Sequence, residues 1–443
     1  MGIFKANDIR GIYPEELDGE RIRRIGYNLP AVLKAEKILV GRDARNSSDE
    51  IFDVLSQGIR DAGANVVDIG VCDTPAVYFA TVHYGFSGSV MITASHNPPE
   101  YNGLKISGKS AVPVGPDTGL KEIETLITEP LAIMKKRGKV ESLNIEDDYS
   151  AHVHRFLGRS SRLKVVMDCG NGAASIFIHD IFDDYFFDSC FLFDTPDGDF
   201  PNHGPNPLDK GSWVEIHEAI LERNADIGIL FDGDADRVIF FDETGNFISP
   251  DIITALIGQH YYGRKKSDKP MFYDIRSSKS VSEYISSLGG TSSACVTGHA
   301  NIKKLLKSEN GLYAGELSGH YYFSENFYCD SGFIAAAIVC DVLEGFHLPL
   351  SQIVQRINPY SFSGEKNFSV RSTEFVLEKV KSQYSDGDIN EMDGIRIDYK
   401  DWWFNLRPSG AEPLLRLVVE ADTIALMEEK VGEVSGFISS IED

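Results

Sequence analysis

Three stretches of the chain repeat one order of elements, and that repetition restricts the fold more than any other feature. Each passes from an apolar strand through a turn of Gly, Asp, Asn, Arg or Ser into a helix and out to a second strand. The first comprises Lys37–Val40, the turn Gly41–Ser48, a helix to about Ala62 and the strand Asn65–Ile69. The second comprises Lys164–Met167, Asp168–Gly172, a helical stretch and Cys190–Phe193, and the third Pro270–Tyr273, Asp274–Ser278, a helix to about Leu288 and Ser293–Val296. Strands alternating with helices at this spacing predict βαβ units in mixed, mostly parallel sheets, the α/β class. A chain of 443 residues exceeds what one hydrophobic core serves, so three or four domains are expected. Three diverged copies of one α/β domain account for the recurrence.

Polar and turn-forming residues mark the joints. The acidic run Glu141–Asp148 leads into a linking helix, a new helix starts near Pro250, and Asn358–Glu365 is a third joint where a hinge is expected. These place the domains at 1–150, 151–250, 251–363 and 364–443. The last differs in pattern: a helix near Ser372–Ser382, a turn at Met392–Gly394 between strands, a loop at Arg407–Pro413, the strand Leu414–Val419 and a final helix. It reads as a small α+β domain.

The net charge of −24 repels phosphate backbones and argues against a nucleic-acid or anionic-membrane partner. The basic run Lys135–Lys139 reads as a solvated face. An anionic ligand must therefore meet a focused cluster of Arg and Lys. Six cysteines are scattered without a Cys-x-x-Cys pair, which suits reduced thiols in a cytoplasmic protein. No apolar stretch approaches the roughly 18 residues of a membrane span, and no signal peptide is read at the N-terminus.

Four loops carry residues suited to chemistry. Thr93–Lys105 follows the apolar run Gly88–Ile92, and its Asn-Pro-Pro and Asn-Gly steps exclude a helix, so Ser95 is expected on a rigid turn with His96 beside it and Lys105 returning later. A Ser-His dipeptide alone would be an ordinary polar loop. Asp232, Asp234 and Asp236 alternate in a tight loop between the apolar runs Ile227–Phe231 and Val238–Phe241, with Arg237 adjoining. Like charges that close require a cation, and an all-oxygen ligand set favours Mg²⁺. Gly315–His320 offers Glu316 and Ser318 to a polar ligand such as a sugar, with Arg276 and His299 earlier in the same domain. Arg407, Ser409 and the backbone near Gly410, with Arg416 beyond, supply donors for a phosphate dianion; Arg10 in Phe4–Gly11 adds another guanidinium.

These motifs, in this order and over nearly the full length, resemble the α-D-phosphohexomutase family, in its phosphomannomutase/phosphoglucomutase branch. The resemblance implies four domains around a central cleft, the first three of similar α/β fold and each of the four contributing a loop. It implies a phosphohexomutase that interconverts hexose 1-phosphate and hexose 6-phosphate, with mannose or glucose as the sugar. Ser95 would carry a phosphoryl group, a hexose 1,6-bisphosphate would be the intermediate, and Mg²⁺ would be held by Asp232, Asp234, Asp236 and an oxygen on Ser95. Arg10, His96, Lys105 and Arg237 would surround the transferring group, with Lys105 or a neighbour in acid/base duty. Glu316 and Ser318 would hold ring hydroxyls, with His299, Arg276 and His320 as further candidates for the sugar pocket. Arg407, Ser409, Gly410 and Arg416 would grip the other phosphate. The partner so implied is a small phosphosugar, with no nucleic acid and no membrane; oligomeric state is left open. A phosphoglucosamine mutase, a phosphoserine-forming sugar phosphatase and a non-catalytic sugar-phosphate sensor are the alternatives. Ala411 stands where the family commonly has Thr, a loss of one hydrogen bond of roughly 1 kcal/mol. Asn7 replaces a frequent aromatic residue, and Ala235 a common Gly.

Overall fold

The computed structural model describes residues 2–5, 8–131, 134, 136–158, 161–183, 185–408 and 414–442. The repeated order of elements becomes a repeated strand order. In the first sheet Lys37–Arg42 is central, flanked in parallel by Asn65–Val71 on one side and Gly88–Ile92 on the other; Tyr101–Gly108 then pairs antiparallel with Gly88–Ile92. The second sheet repeats this with Ser161–Asp168 central between Phe186–Leu192 and Ile227–Phe231, and Val238–Phe241 antiparallel beyond. The third has Met271–Asp274 between Ser292–Cys295 and Tyr313–Gly315, with Tyr321–Phe323 antiparallel beyond. Short strands extend the edges: Ile9–Ile12 pairs antiparallel with Tyr101–Gly108, and Val140–Ser142 pairs parallel with Asn65–Val71. The sheets are mixed, parallel at the centre and antiparallel at one edge.

The fourth sheet is antiparallel throughout, in the order Ser361–Phe362, Leu414–Ala421, Trp402–Pro408, Ile395–Asp398 and Asp388–Asn390, with Lys366–Ser369 also pairing Leu414–Ala421. The joint expected at Asn358–Glu365 therefore already contains an edge strand of this sheet. The helices Thr373–Gln383 and Ile424–Glu442 cover it.

One apolar core runs through the first three units, from Leu39 and Met91 through Val165, Phe231 and Met271 to Ile357. Its axis is the helix Gly332–Glu344, buried on almost every face. This helix belongs in sequence to the third unit, yet Phe333 packs on Phe231 and Phe182 of the second, with ring centroids 5.1 and 6.0 Å away. The fourth unit has a separate core built on Val376, Val380, Ile397, Phe404, Leu417 and Val434. Among the described residues, no helix is long and apolar enough to cross a membrane.

The helix Thr74–His83 starts at Asp73, whose Oδ1 accepts the Ala76 N–H at 2.6 Å and the Tyr149 hydroxyl at 3.0 Å. Burial pushes this carboxyl up to about 8. Its folded value thus lies above the unfolded one, so its contribution to stability is present at low pH and is lost as pH rises towards and through 8. Asp73→Asn keeps a capping oxygen without the titration. Thermal midpoints followed from about pH 5 to about pH 9 should fall less steeply for Asp73→Asn than for the unsubstituted protein; parallel profiles would refute the assignment.

Candidate functional site

In each α/β unit one loop joins the last parallel strand to its antiparallel neighbour, beyond the carboxyl ends of the parallel strands, where open α/β sheets bind ligands. The loop after Gly88–Ile92 carries Ser95, that after Ile227–Phe231 carries the three aspartates, and that after Tyr313–Gly315 carries Glu316 and Ser318. The three meet at a cavity of about 450 Å³. Arg10, Ser95 and Lys105 line it from the first unit, Asp236 and Arg237 from the second, and Arg276, His299, Glu316, Ser318 and His320 from the third.

Ser95 adopts a left-handed backbone, φ 52°, at a strand end with no neighbouring glycine to relieve it. Its hydroxyl donates to Asp232 Oδ2 at 3.1 Å and lies 3.2 Å from His96 Nδ1. The expected turn is shorter than its motif: the strand resumes at Tyr101, so Lys105 sits opposite Met91 in the ladder rather than in the loop. From there Lys105 Nζ reaches Asp234 Oδ2 and Asp236 Oδ2, both at 2.5 Å. Burial alone would discharge this lysine, but Asp234 and Asp236 outweigh it and hold the ammonium well above the usual lysine range.

The ligand oxygens of Asp232, Asp234 and Asp236 lie within 4.8 Å of one another. Asp232 and Asp234 are wholly buried and Asp236 nearly so. Thr74 Oγ1 donates to Asp234 Oδ2, and the Thr74 N–H donates to the Asp234 carbonyl at 3.0 Å. Burial raises the Asp232 carboxyl, and Asp234 and Asp236 raise it further. Ala235 also takes a left-handed conformation, φ 56°, at a cost of about 1 kcal/mol relative to glycine. The methyl points into protein, since Ala235 is fully buried.

Arg237 donates from Nε to His320 Nε2 at 3.1 Å and lies 3.7 Å from Asp232 Oδ2. His320 Nδ1 faces Asp330 Oδ2 at 2.8 Å and Asp236 Oδ1 at 3.7 Å. His320 thus takes the Arg237 N–H on one nitrogen and sets the other between two carboxylates, buttressing the aspartate loop. Burial lowers the pKa of this histidine, but Asp236 and Asp330 reverse that and raise it. Burial holds His96 down to about 2, with Arg237 and Arg10 adding to the effect, so its imidazole is neutral. Burial and Lys303 hold His299 down to about 3.

Glu316 is fixed by the Tyr322 hydroxyl, 2.5 Å from Oε1, and by the Gly298 N–H, 3.1 Å from Oε2. Arg276 is clamped on Asp274, with Nε donating at 2.8 Å. Arg10 donates to Asn97 Oδ1 at 2.6 Å and pairs with Asp8. Arg407 and Arg416 face each other across two paired strands and share Glu365, at 3.4 and 3.1 Å, outside the cavity wall. Burial and the nearby Arg276 lower the Arg407 pKa, so the two guanidiniums are close enough to repel. Ser409, Gly410 and Ala411 lie outside the described residues, as do Asn7 and Lys135.

Other residues of the site are not conspicuous in the sequence. Arg45 is buried under the Ser95 turn and bonds to its carbonyls. Lys303, on the helix His299–Ser308, lies 3.0 Å from Asp330 and 3.7 Å from the Tyr78 ring centroid. The turn Gly41–Ser48 and the lysine-rich helix face were the available signals, but neither says which charge turns inward.

The sequence matches the phosphoglucomutase/phosphomannomutase models for alpha/beta/alpha domains I, II and III over residues 1–132, 147–245 and 249–360, and for the C-terminal domain over 365–435. The chain belongs to the phosphoglucomutase/phosphomannomutase family. It is 38% identical to a phosphomannomutase of Methanocaldococcus jannaschii, covering 99% of this chain and 98% of the relative, and 36% identical to one of Escherichia coli, covering 96% of each. A family protein from Burkholderia thailandensis of known structure superposes with a TM-score of 0.89 at 27% identity, covering 99% of this chain and 97% of that one. Family membership makes the chain a phosphotransferase of the mutase class.

The mutase loops touch where Gly233 approaches Ser95. A Cβ on Gly233 would lie 2.6 Å from the Ser95 carbonyl oxygen and 3.0 Å from Pro205. Gly233→Ala is expected to force the loops apart, destabilising by about 1–3 kcal/mol and lowering turnover more than substrate affinity. Calorimetry and steady-state kinetics check this, and an unchanged melting temperature and turnover would contradict it.

Proposed function

We propose that the chain interconverts hexose 1-phosphate and hexose 6-phosphate, of mannose and of glucose, through phosphoserine at Ser95 and a hexose 1,6-bisphosphate. The observation that carries this reading is the Ser95 hydroxyl held 3.1 Å from Asp232 in the lining of a cavity that also presents Glu316 and Ser318. In the first step, phosphorylated Ser95 transfers its phosphoryl group to the free hydroxyl of the sugar monophosphate. The bisphosphate then turns within the cavity, and the second step returns its other phosphoryl group to the Ser95 oxygen.

Such transfers depend on positioning and charge stabilisation. Arg10, Lys105 and Arg237 supply fixed positive charge beside the Ser95 oxygen. Lys105, held protonated between two carboxylates, suits charge stabilisation better than proton transfer. The neutral imidazoles of His96 and His299 offer hydrogen-bond acceptors. The fixed carboxylate of Glu316, with Ser318, suits sugar hydroxyls, and Arg276, Arg407 and Arg416 suit the phosphate that is not reacting. In this reading the domains 1–150, 151–250, 251–363 and 364–443 each bring one loop to the cleft.

The aspartates fit Mg²⁺. Their donors are all oxygens, and among the described residues Asp234 Oδ1 and Asp236 Oδ1 are buried without a hydrogen-bond partner. Asp232, Asp234, Asp236 and an oxygen on Ser95 would hold the ion, which when bound neutralises charge on the transferring phosphoryl group.

A coupled assay primed with glucose 1,6-bisphosphate in Mg²⁺ should show turnover of mannose 1-phosphate and glucose 1-phosphate. Chelation should abolish it and added Mg²⁺ restore it. Ser95→Ala should lose transfer by at least about a thousandfold while still binding the sugar phosphate in calorimetry. Turnover undiminished in that variant would refute the nucleophile, and no turnover of any hexose phosphate would refute the mutase.

A further inference from the structure

The segment Thr93–Glu100 has neither strand nor helix to pair its backbone, and its two consecutive prolines remove amide donors. Its carbonyls converge instead on one side chain. Arg45 Nη2 donates to the carbonyl oxygens of Ser95 and Asn97, both at 2.7 Å, and Nη1 to those of Pro98 at 2.7 Å and Tyr101 at 3.0 Å. Nε donates to Asp43 Oδ2 at 3.1 Å, so all five donors of the guanidinium are used. The Arg45 side chain has 0% exposure, with the Phe200 ring of the second unit 5.2 Å from its central carbon. Asp43 is fixed in turn by the Ser48 hydroxyl at 2.6 Å and the Arg45 N–H at 3.1 Å.

This clamp dictates the orientation of the turn. Carbonyl and N–H point in opposite directions across a trans peptide. With the Ser95 carbonyl on Arg45, the His96 N–H faces away from the guanidinium. The other two turn carbonyls it holds, of Asn97 and Pro98, precede prolines and bring no N–H with them. A left-handed non-glycine residue such as Ser95 persists only where its surroundings over-determine it. The Ser95 N–H donates to Thr93 Oγ1 at 2.8 Å, and Arg45, which does not line the cavity, holds the Ser95 carbonyl.

We propose that Arg45 is a positioning residue for transfer at Ser95: it locks the peptide planes of the turn so that the hydroxyl stays against Asp232, and does not itself touch the phosphoryl group. The proposal rests on the reading of Ser95 as phosphoryl carrier. Arg45→Ala should lower kcat by about a hundredfold with KM little changed. Millimolar guanidinium chloride should restore much of the loss in this variant and none in the unsubstituted enzyme. Guanidinium is a denaturant, so a merely unstable protein would be harmed by it, not rescued. Arg45→Lys, with three donors on one nitrogen, should fold and show an intermediate kcat without rescue.

Hydrogen exchange separates this proposal from the function it rests on. In Arg45→Ala, the segment His96–Tyr101 should exchange faster while the strands Lys37–Arg42 and Ile227–Phe231 keep their protection. Near-normal kcat, unaltered exchange in the turn, or equally accelerated exchange everywhere would overturn it. Should Arg45→Ala not fold, the same comparison on Arg45→Lys decides. Should the unsubstituted protein transfer no phosphoryl group, the mutase reading fails, and exchange in the turn still decides whether Arg45 sets its conformation.

Discussion

Three aspartates on one six-residue loop, all buried, are the constraint around which the first three units are arranged. Placed alone, such carboxylates would repel one another and pull protons from solvent. They are held because other units surround them. The first unit contributes Lys105 and Thr74 to Asp234, and Lys105 to Asp236. The third contributes His320 beside Asp236 and the Gly332 N–H to the Ala235 carbonyl at 3.1 Å. Removing one partner from a buried charge set is strongly destabilising, whereas an intact set adds little net stability. The arrangement therefore acts less as glue than as a register: the units fit together only where cation and carboxylate meet.

The same register explains why one fold occurs three times with three chemistries. Each unit places its loop between a parallel strand and an antiparallel return, so the three loops are topologically equivalent. What varies is the cargo: a hydroxyl, a carboxylate cluster, and a Glu and Ser that line the cavity. The antiparallel return also carries function, because Lys105 and His320 sit on or just before those strands and reach the aspartates from either side.

The repeated units and the aspartate loop were legible because their signals are local: apolar runs that must be buried, bracketing residues that cannot be buried unpaired. The Ser95 turn was legible for the same reason, through its prolines. Groups that act across long separations were not. Arg45 meets Ser95 from 50 residues away, and in sequence it is one of several charges in a polar turn. Lys303 resembles its neighbours Lys304 and Lys307, but it alone of the three shares the inward face with Ile302 and Leu306. Asp73 caps the helix Thr74–His83, and only its burial in the folded chain reveals its altered acidity. Arg407 and Arg416 were legible as a pair of cations, whereas their common partner Glu365 depends on a strand register that spacing does not supply.

The fourth unit follows another logic. Among the described residues it shares no apolar core with the rest, and it docks through polar groups. Arg396 donates to the carbonyls of Ile275 and Ser277, at 2.6 and 3.0 Å, and stacks on Trp403, 3.7 Å from a ring centroid. Trp403 Nε1 and the Lys279 N–H both reach Glu420 Oε1, at 2.7 and 3.1 Å, and Lys279 Nζ pairs with Asp422. Interfaces of this polar kind come apart more readily than a continuous core. The contact falls on the turn that presents Arg276, since Arg396 grips the carbonyls on either side of it. Any displacement of the fourth unit is thereby applied directly to a cation in the cavity wall. The polar joint couples the arginines of the fourth domain to the site without burying the apolar surface that would fix it there.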